Sequence, residues 1–161
     1  MKRILGIVGV FVSVATVLVV LPTTSEAAPN ASAAAHSSTF SWTQYGTSRS
    51  PTAGWILDSS DNTHHVQFQP DGNWVVYHGS TPTWASNTSN VGIGLVFASS
   101  PGDEFGNIFI TKNGGDAWQN NVHGYNQYST MRVVMQNDGN FVEYPGSSGG
   151  SAIWATNTNG K

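Results

Sequence analysis

The strongest constraint on the fold of this chain is an internal repeat carried by two independent landmarks. Gln69-Pro-Asp71-Gly-Asn73-Trp-Val75-Val-Tyr77 is followed by Trp84-Ala85-Ser86-Asn87-Thr88, and Gln136-Asn-Asp138-Gly-Asn140-Phe-Val142-Glu-Tyr144 by Trp154-Ala155-Thr156-Asn157-Thr158. Between them, Gly106-Asn107-Ile108-Phe109-Ile110-Thr111 leads to Trp118-Gln119-Asn120-Asn121. The asparagines at 73, 107 and 140 are 34 and 33 residues apart, and the tryptophans at 84, 118 and 154 are 34 and 36 apart. A unit of about 34 residues holds three or four short strands and cannot bury both faces of its sheet alone. Three such units can close around one axis and share a core, to which Trp84, Trp118 and Trp154 are the natural contributors.

The rest of the sequence agrees with an all-β chain. Past residue 38 no stretch has a long helical period, and short alternating runs are bounded by Gly, Asn, Asp and Pro. Pairs such as Val66/Phe68 and Val133/Met135 alternate as strand positions do. Lys2 and Arg3, then an uncharged apolar run from Leu5 to Leu21, then small polar residues, describe a signal peptide over 1–27 and so an extracellular, secreted product. The run is short for a membrane span, is followed by Pro22, and lacks a basic stop-transfer cluster. Residues 28–39, low in complexity and without bulky apolar groups, read as a disordered leader, and 40–161 as the folded domain of three repeats.

Loss of residues 1–27 leaves four basic and eight acidic residues, a net charge of −4. With no basic patch, neither nucleic acid nor membrane insertion is expected. The absence of cysteine excludes thiol catalysis and cysteine metal sites, and leaves packing to hold the domain together.

On an extended strand Gln69, Asp71, Asn73, Val75 and Tyr77 would share one face, opposite Pro70, Gly72, Trp74 and Val76. Two amides, a carboxylate and a phenol donate and accept hydrogen bonds in the way a sugar's vicinal hydroxyls require, and valine offers the ring carbons an apolar seat. Fixed on a strand, these groups can select one arrangement of hydroxyls, because a misplaced hydroxyl leaves Asp and Asn unpaired. Gln136, Asp138, Asn140, Val142 and Tyr144 repeat the set.

These residues resemble the bulb-type (monocot) mannose-binding lectin family, in which Q-x-D-x-N-x-V-x-Y is the sugar-site signature and the Trp-Ala-Ser/Thr-Asn-Thr ending is typical. The resemblance covers residues 40–161. It implies a β-prism II fold, three four-stranded antiparallel sheets around a pseudo-threefold axis, and a metal-independent, cofactor-free site for terminal α-mannose. By the family pattern Asp71 and Asn73 would hold the axial 2-hydroxyl, Gln69 the 3-hydroxyl and Tyr77 the 4-hydroxyl, with Val75 along the ring, and Asp138, Asn140, Gln136, Tyr144 and Val142 would do the same. The expected function is a secreted lectin without catalysis whose partners are mannose-containing glycans. A lectin-like bacteriocin that uses the same sites for targeting is the alternative. In the family the last strand, here Ala152 to Asn159, often crosses into a neighbour, which implies a homodimer by strand exchange beside a monomer with that strand folded back.

The chain also departs from the family pattern. Gly72 stands where many plant members have a cysteine. In the middle repeat, counting back from Asn107 puts Asp103 at the Gln place and Phe105 at the Asp place. Treating Ser99 to Gly102 as an insertion makes Ala98 the Gln equivalent instead. Phe109 and Thr111 replace Val and Tyr, so this site is expected to be silent or altered. His64-His65 and Asp103-Glu104 are neighbours whose side chains diverge on a strand, which disfavours a metal site or an acid pair. No nucleophile–base–orienter set is present to suggest an enzyme.

Overall fold

The computed structural model describes residues 37–45, 48–100 and 105–161, so the signal-peptide reading over 1–27, most of the leader, and Asp103 and Glu104 lie outside the described residues. Among the described residues there are eleven strands: β1 (Thr39–Thr43), β2 (Ile56–Asp58), β3 (His64–Phe68), β4 (Trp74–His78), β5 (Thr81–Ala85), β6 (Gly94–Phe97), β7 (Ile108–Lys112), β8 (Gly115–Gln119), β9 (Thr130–Met135), β10 (Phe141–Pro145) and β11 (Trp154–Ala155). They form three antiparallel sheets in the orders β2-β3-β4-β5, β6-β7-β8 and β1-β9-β10-β11. Each repeat is one sheet, as a β-prism II requires.

The third sheet is closed from both ends of the domain. β1 pairs with β9 from Thr39↔Val134 to Thr43↔Thr130, one residue ahead of the expected domain boundary. β11 folds back on β10 of its own chain, with Val142↔Ala155 and Glu143↔Trp154. The middle sheet departs from the expected four strands. Arg49 makes the fourth-strand contact as a single bridge, its N–H donating to Phe97 O at 3.1 Å and its carbonyl accepting from Phe97 N at 2.8 Å. The next hydrogen-bonded rung would need an N–H at position 51, and Pro51 has none, so the ladder stops.

The inward positions are those the alternation marks: Val66, Phe68, Val133 and Met135 are all buried. Trp84, Trp118 and Trp154 form a nearly equilateral triangle across the axis. Their ring centroids are 5.6, 5.7 and 6.0 Å apart and every pair meets edge-to-face, the geometry aromatic quadrupoles favour. These three are only half-buried. Trp74, fully enclosed, contacts all three of them.

Opposite each tryptophan across the ladder stands one residue of the central strand: Val76 for Trp84, Ile110 for Trp118 and Glu143 for Trp154. All three are completely buried, so one member of the axial trio is a carboxyl group. Asn120 Nδ2 donates to Glu143 Oε2 at 2.7 Å, and Oε1 has no partner among the described residues. Burial drives the Glu143 pKa well above the ordinary glutamate value, and the Asn120 bond only partly opposes this.

Candidate functional site

Each motif begins in a hairpin turn, not in a continuous strand. Gly72 N–H donates to Gln69 O at 3.0 Å and Gln69 N–H to Asn73 O at 2.8 Å, so β4 starts only at Trp74. Asp71 Oδ1 accepts from Asn73 N–H at 3.0 Å, an Asx turn. Gly72 completes the turn at φ +85°, where an added Cβ would collide with the Gly92 carbonyl. Glycine is therefore required at this position. The expectation that all five residues share one extended strand face is corrected accordingly. Strict alternation holds for Val75 and Tyr77 against Trp74 and Val76, while the turn delivers Gln69, Asp71 and Asn73.

The two motifs still assemble the same constellation. Gln69 Nε2 donates to Tyr77 Oη at 2.6 Å, and Gln136 Nε2 to Tyr144 Oη at 2.8 Å. With its lone pair engaged, each phenol has its proton left to donate to a ligand. The glutamines, asparagines and tyrosines are half-buried and Asp71 and Asp138 exposed, a shallow groove rimmed by acceptors and donors. Val75 and Val142 lie beneath it at 3 % and 2 % exposure, a floor with little open apolar area for a ring.

Each asparagine is held by the Trp-Ala-x-Asn-Thr tail. Asn73 Oδ1 accepts from Ser86 Oγ and from Thr88 N–H, both at 3.1 Å, and Asn140 Oδ1 accepts from Thr156 Oγ1 at 3.3 Å and Thr158 N–H at 3.2 Å. The acceptor end is thus consumed, and Nδ2 has no partner among the described residues. Thr88 and Thr158 also donate to the carbonyls of Gly72 and Gly139, which ties the tail to the turn. Asn87 and Asn157 adopt φ +59° and +56°, a left-handed conformation that asparagine tolerates better than most side chains. These positioning residues are recognisable in sequence only because the tail recurs.

The two sites differ at their edges. Ser89 Oγ donates to Asp71 Oδ2 at 2.6 Å. That hydroxyl, then the Asn73 N–H, hold the Asp71 carboxyl below the ordinary aspartate range. Asn159 occupies the equivalent place in the third repeat and makes no such bond to Asp138. Tyr77 is stacked by His65 at 4.7 Å, whereas Tyr144 lies under the Arg132 guanidinium, also at 4.7 Å. Arg132 in turn donates to the carbonyls of Pro145, Gly146 and Gly149, pinning the β10–β11 loop. His64 faces the other way from His65 and stacks on His78, so the adjacent histidines diverge as the strand geometry requires.

The middle repeat has lost the constellation. Ala98 N–H donates to Asn107 O at 3.0 Å, the bond Gln69 and Gln136 make to Asn73 and Asn140, so Ala98 is the Gln equivalent and a five-residue insertion lengthens the turn. Phe105, fully buried, precedes the positive-φ Gly106 as Asp71 precedes Gly72. Val122 replaces the tail threonine, Asn107 Nδ2 turns to Gln119 Oε1 at 3.3 Å, and Asn107 Oδ1 is left without a partner among the described residues.

Comparison with known proteins agrees with this architecture. No model of a known protein family matches the sequence. A mannose-specific lectin of Aloe arborescens is 32% identical over 114 residues, which is 64% of this chain and 96% of that protein. The Polygonatum cyrtonema lectin, solved with a monomannoside, superposes with a TM-score of 0.53 at 26% identity, covering 77% of this chain and 99% of that one. A lectin from Allium sativum gives a TM-score of 0.52 at 27% identity, covering 71% of this chain and 99% of that one. With the fold, the duplicated constellation and these relatives together, the chain belongs to the bulb-type mannose-binding lectin family, carbohydrate-binding proteins that carry out no catalysis.

Proposed function

We propose that this protein is a secreted lectin that binds terminal α-mannose through two sites, Gln69/Asp71/Asn73/Val75/Tyr77 and Gln136/Asp138/Asn140/Val142/Tyr144. The observation that carries the reading is the duplication of one hydrogen-bond pattern: Gln to Tyr, Asn to the tail, Asp to the turn. In each set the internal bonds consume one end of a bifunctional group. What is left over is a phenol proton, an amide Nδ2 and carboxylate lone pairs, a complementary display for adjacent hydroxyls. An axial 2-hydroxyl between Asp and Asn can accept from the amide and donate to the carboxylate, while an equatorial one cannot meet both. The relatives named for mannose specificity or solved with a mannoside support that choice of sugar.

Few hydroxyls are engaged at an open groove, so single-site affinity is on the order of millimolar. Two grooves on different faces of one prism favour clustered glycans, and exchange of β11 between two copies would double the count. The test is glycan selectivity: methyl α-mannoside binds measurably and methyl α-glucoside about tenfold more weakly. Equal binding of the two would contradict the role given to the Asp–Asn pair.

A further inference from the structure

Away from both motif sites, the seam where the middle sheet lacks its fourth strand contains a cavity of about 290 Å³ lined by Phe40, Ser48, Arg49, Ser50, Pro51 and Trp55. Its size sits at the lower end of small-molecule sites, about 300–1,000 Å³, and suits a single sugar-sized ring. Two walls are aromatic: the Phe40 and Trp55 rings meet edge-to-face at 5.4 Å and rest on Phe97, at 4.7 and 5.6 Å. Phe97 is fully buried and packs on Trp42, so the walls are backed by rigid core. Trp55 lies outside the repeated tryptophan positions and is only half-buried.

Arg49 supplies the charge. Its backbone is fixed by both hydrogen bonds to Phe97, while its guanidinium has no hydrogen bond or ion pair among the described residues. Arg132, by contrast, spends its guanidinium on three loop carbonyls. An unspent guanidinium beside a half-buried indole and two serines, in a chain with only six basic residues, is poor in structural purpose and rich in recognition chemistry. A guanidinium presents a planar fork that matches a carboxylate, an indole face packs against the C–H face of a pyranose, and hydroxyls pair with ring hydroxyls.

We infer that this pocket is a third carbohydrate site of different chemistry, which takes the carboxylate-bearing ring of an acidic saccharide, a uronic acid. The carboxylate lies on Arg49, the ring packs against Trp55 and Phe40, and Ser48 and Ser50 serve the hydroxyls. The site abuts the middle sheet through Phe97, which Arg49 bridges and on which Phe40 and Trp55 rest. It depends on neither motif site, so it stands or falls independently of mannose binding.

The test is a titration of the full chain with methyl β-glucuronide, followed by Trp fluorescence and by the Trp55 indole N–H resonance, with methyl β-glucoside and glucose 6-phosphate as comparison arms. Expected are binding of the glucuronide on the order of millimolar, weakening with added salt, and a loss of about tenfold or more in Arg49→Gln. Binding is retained in Asn73→Ala/Asn140→Ala. Arg49→Lys keeps the charge without the fork and is intermediate. Because Arg49 is exposed, unchanged thermal melts of its variants separate loss of ligand from loss of fold. Glucuronide binding that is absent at 50-fold above about 1 mM, or unaffected by Arg49→Gln, or equalled by the neutral glucoside, overturns the assignment. Preferential binding of the phosphate overturns the carboxylate class.

Discussion

The Gln69 side-chain amide donates to the Tyr77 hydroxyl at 2.6 Å, and the same bond recurs between Gln136 and Tyr144 at 2.8 Å. The partners are eight residues apart and lie on opposite arms of a hairpin, so the bond forms only if the Pro-Asp-Gly or Asn-Asp-Gly turn has its required geometry. It turns a tyrosine that either donates or accepts into one that donates outward. Tyr77→Phe removes that donor and leaves the Gln69 amide unpaired in a half-buried groove. The expected result is a loss of about tenfold in mannoside affinity at the first site alone, with an unfolding midpoint shifted by no more than a few degrees. Calorimetry on Tyr77→Phe and Tyr144→Phe checks it, each leaving one site intact.

The tail threonine holds the site asparagine through its N–H and ties the tail to the turn through its hydroxyl, whereas in the middle repeat Val122 N–H goes to Asn120 Oδ1 and Asn107 Nδ2 to Gln119. Thr88→Val deletes the bond from Thr88 Oγ1 to Gly72 O and the contact with Ser86 Oγ. We expect a stability loss of about 1–2 kcal/mol from buried groups left unpaired. A conservative Thr88→Ser restores both stability and sugar binding. Denaturant melts and titrations of the two variants separate this positioning role from simple packing.

The fold and the shape of the site are legible in the sequence to different degrees. The period of about 34 residues and the three tryptophans point to three sheets around one axis, and that is the architecture found. The strand-face argument succeeds from Trp74 onward, where side chains alternate about a ladder, and fails over Gln69–Asn73, where Pro70 and Gly72 impose a turn. Counting from one landmark could not decide between Ala98 and Asp103, because an insertion moves the register by an unknown amount. The Ala98–Asn107 backbone bond decides it. Glu143 passes unremarked in sequence, since alternation marks its position as inward but nothing local marks the pocket of Asn120 that receives it.

Glu143 predicts a pH dependence of stability. In the unfolded chain it ionises near 4.5, whereas burial raises its folded value well above that. The folded state therefore holds the proton more tightly. This group's favourable contribution is complete below about pH 4.5 and declines as pH rises toward the folded value. Glu143→Gln keeps an acceptor for Asn120 and cannot ionise. Its thermal midpoint is expected to exceed that of the parent at pH 8, and the parent's decline from mildly acidic pH should be reduced. A variant that melts lower than the parent at every pH would contradict this.

Asp71 behaves in the opposite sense. The Ser89 hydroxyl holds its carboxyl below the ordinary aspartate value, so the acceptor survives into more acidic solution. Ser89→Ala removes the largest contribution, and the Asp71 titration seen by carbon-detected NMR should move up toward 3.8. Mannoside binding at the first site should then fail at a higher pH on acidification, with the third repeat unaffected.

The central claim is that two sites of one design act on one chain, and a calorimetric titration of residues 28–161 with methyl α-mannoside tests it most directly. The account predicts about two weak sites per chain, one remaining in Asn73→Ala or Asn140→Ala and none in the double variant. A titration without heat, or binding that persists undiminished in the double variant, would contradict it.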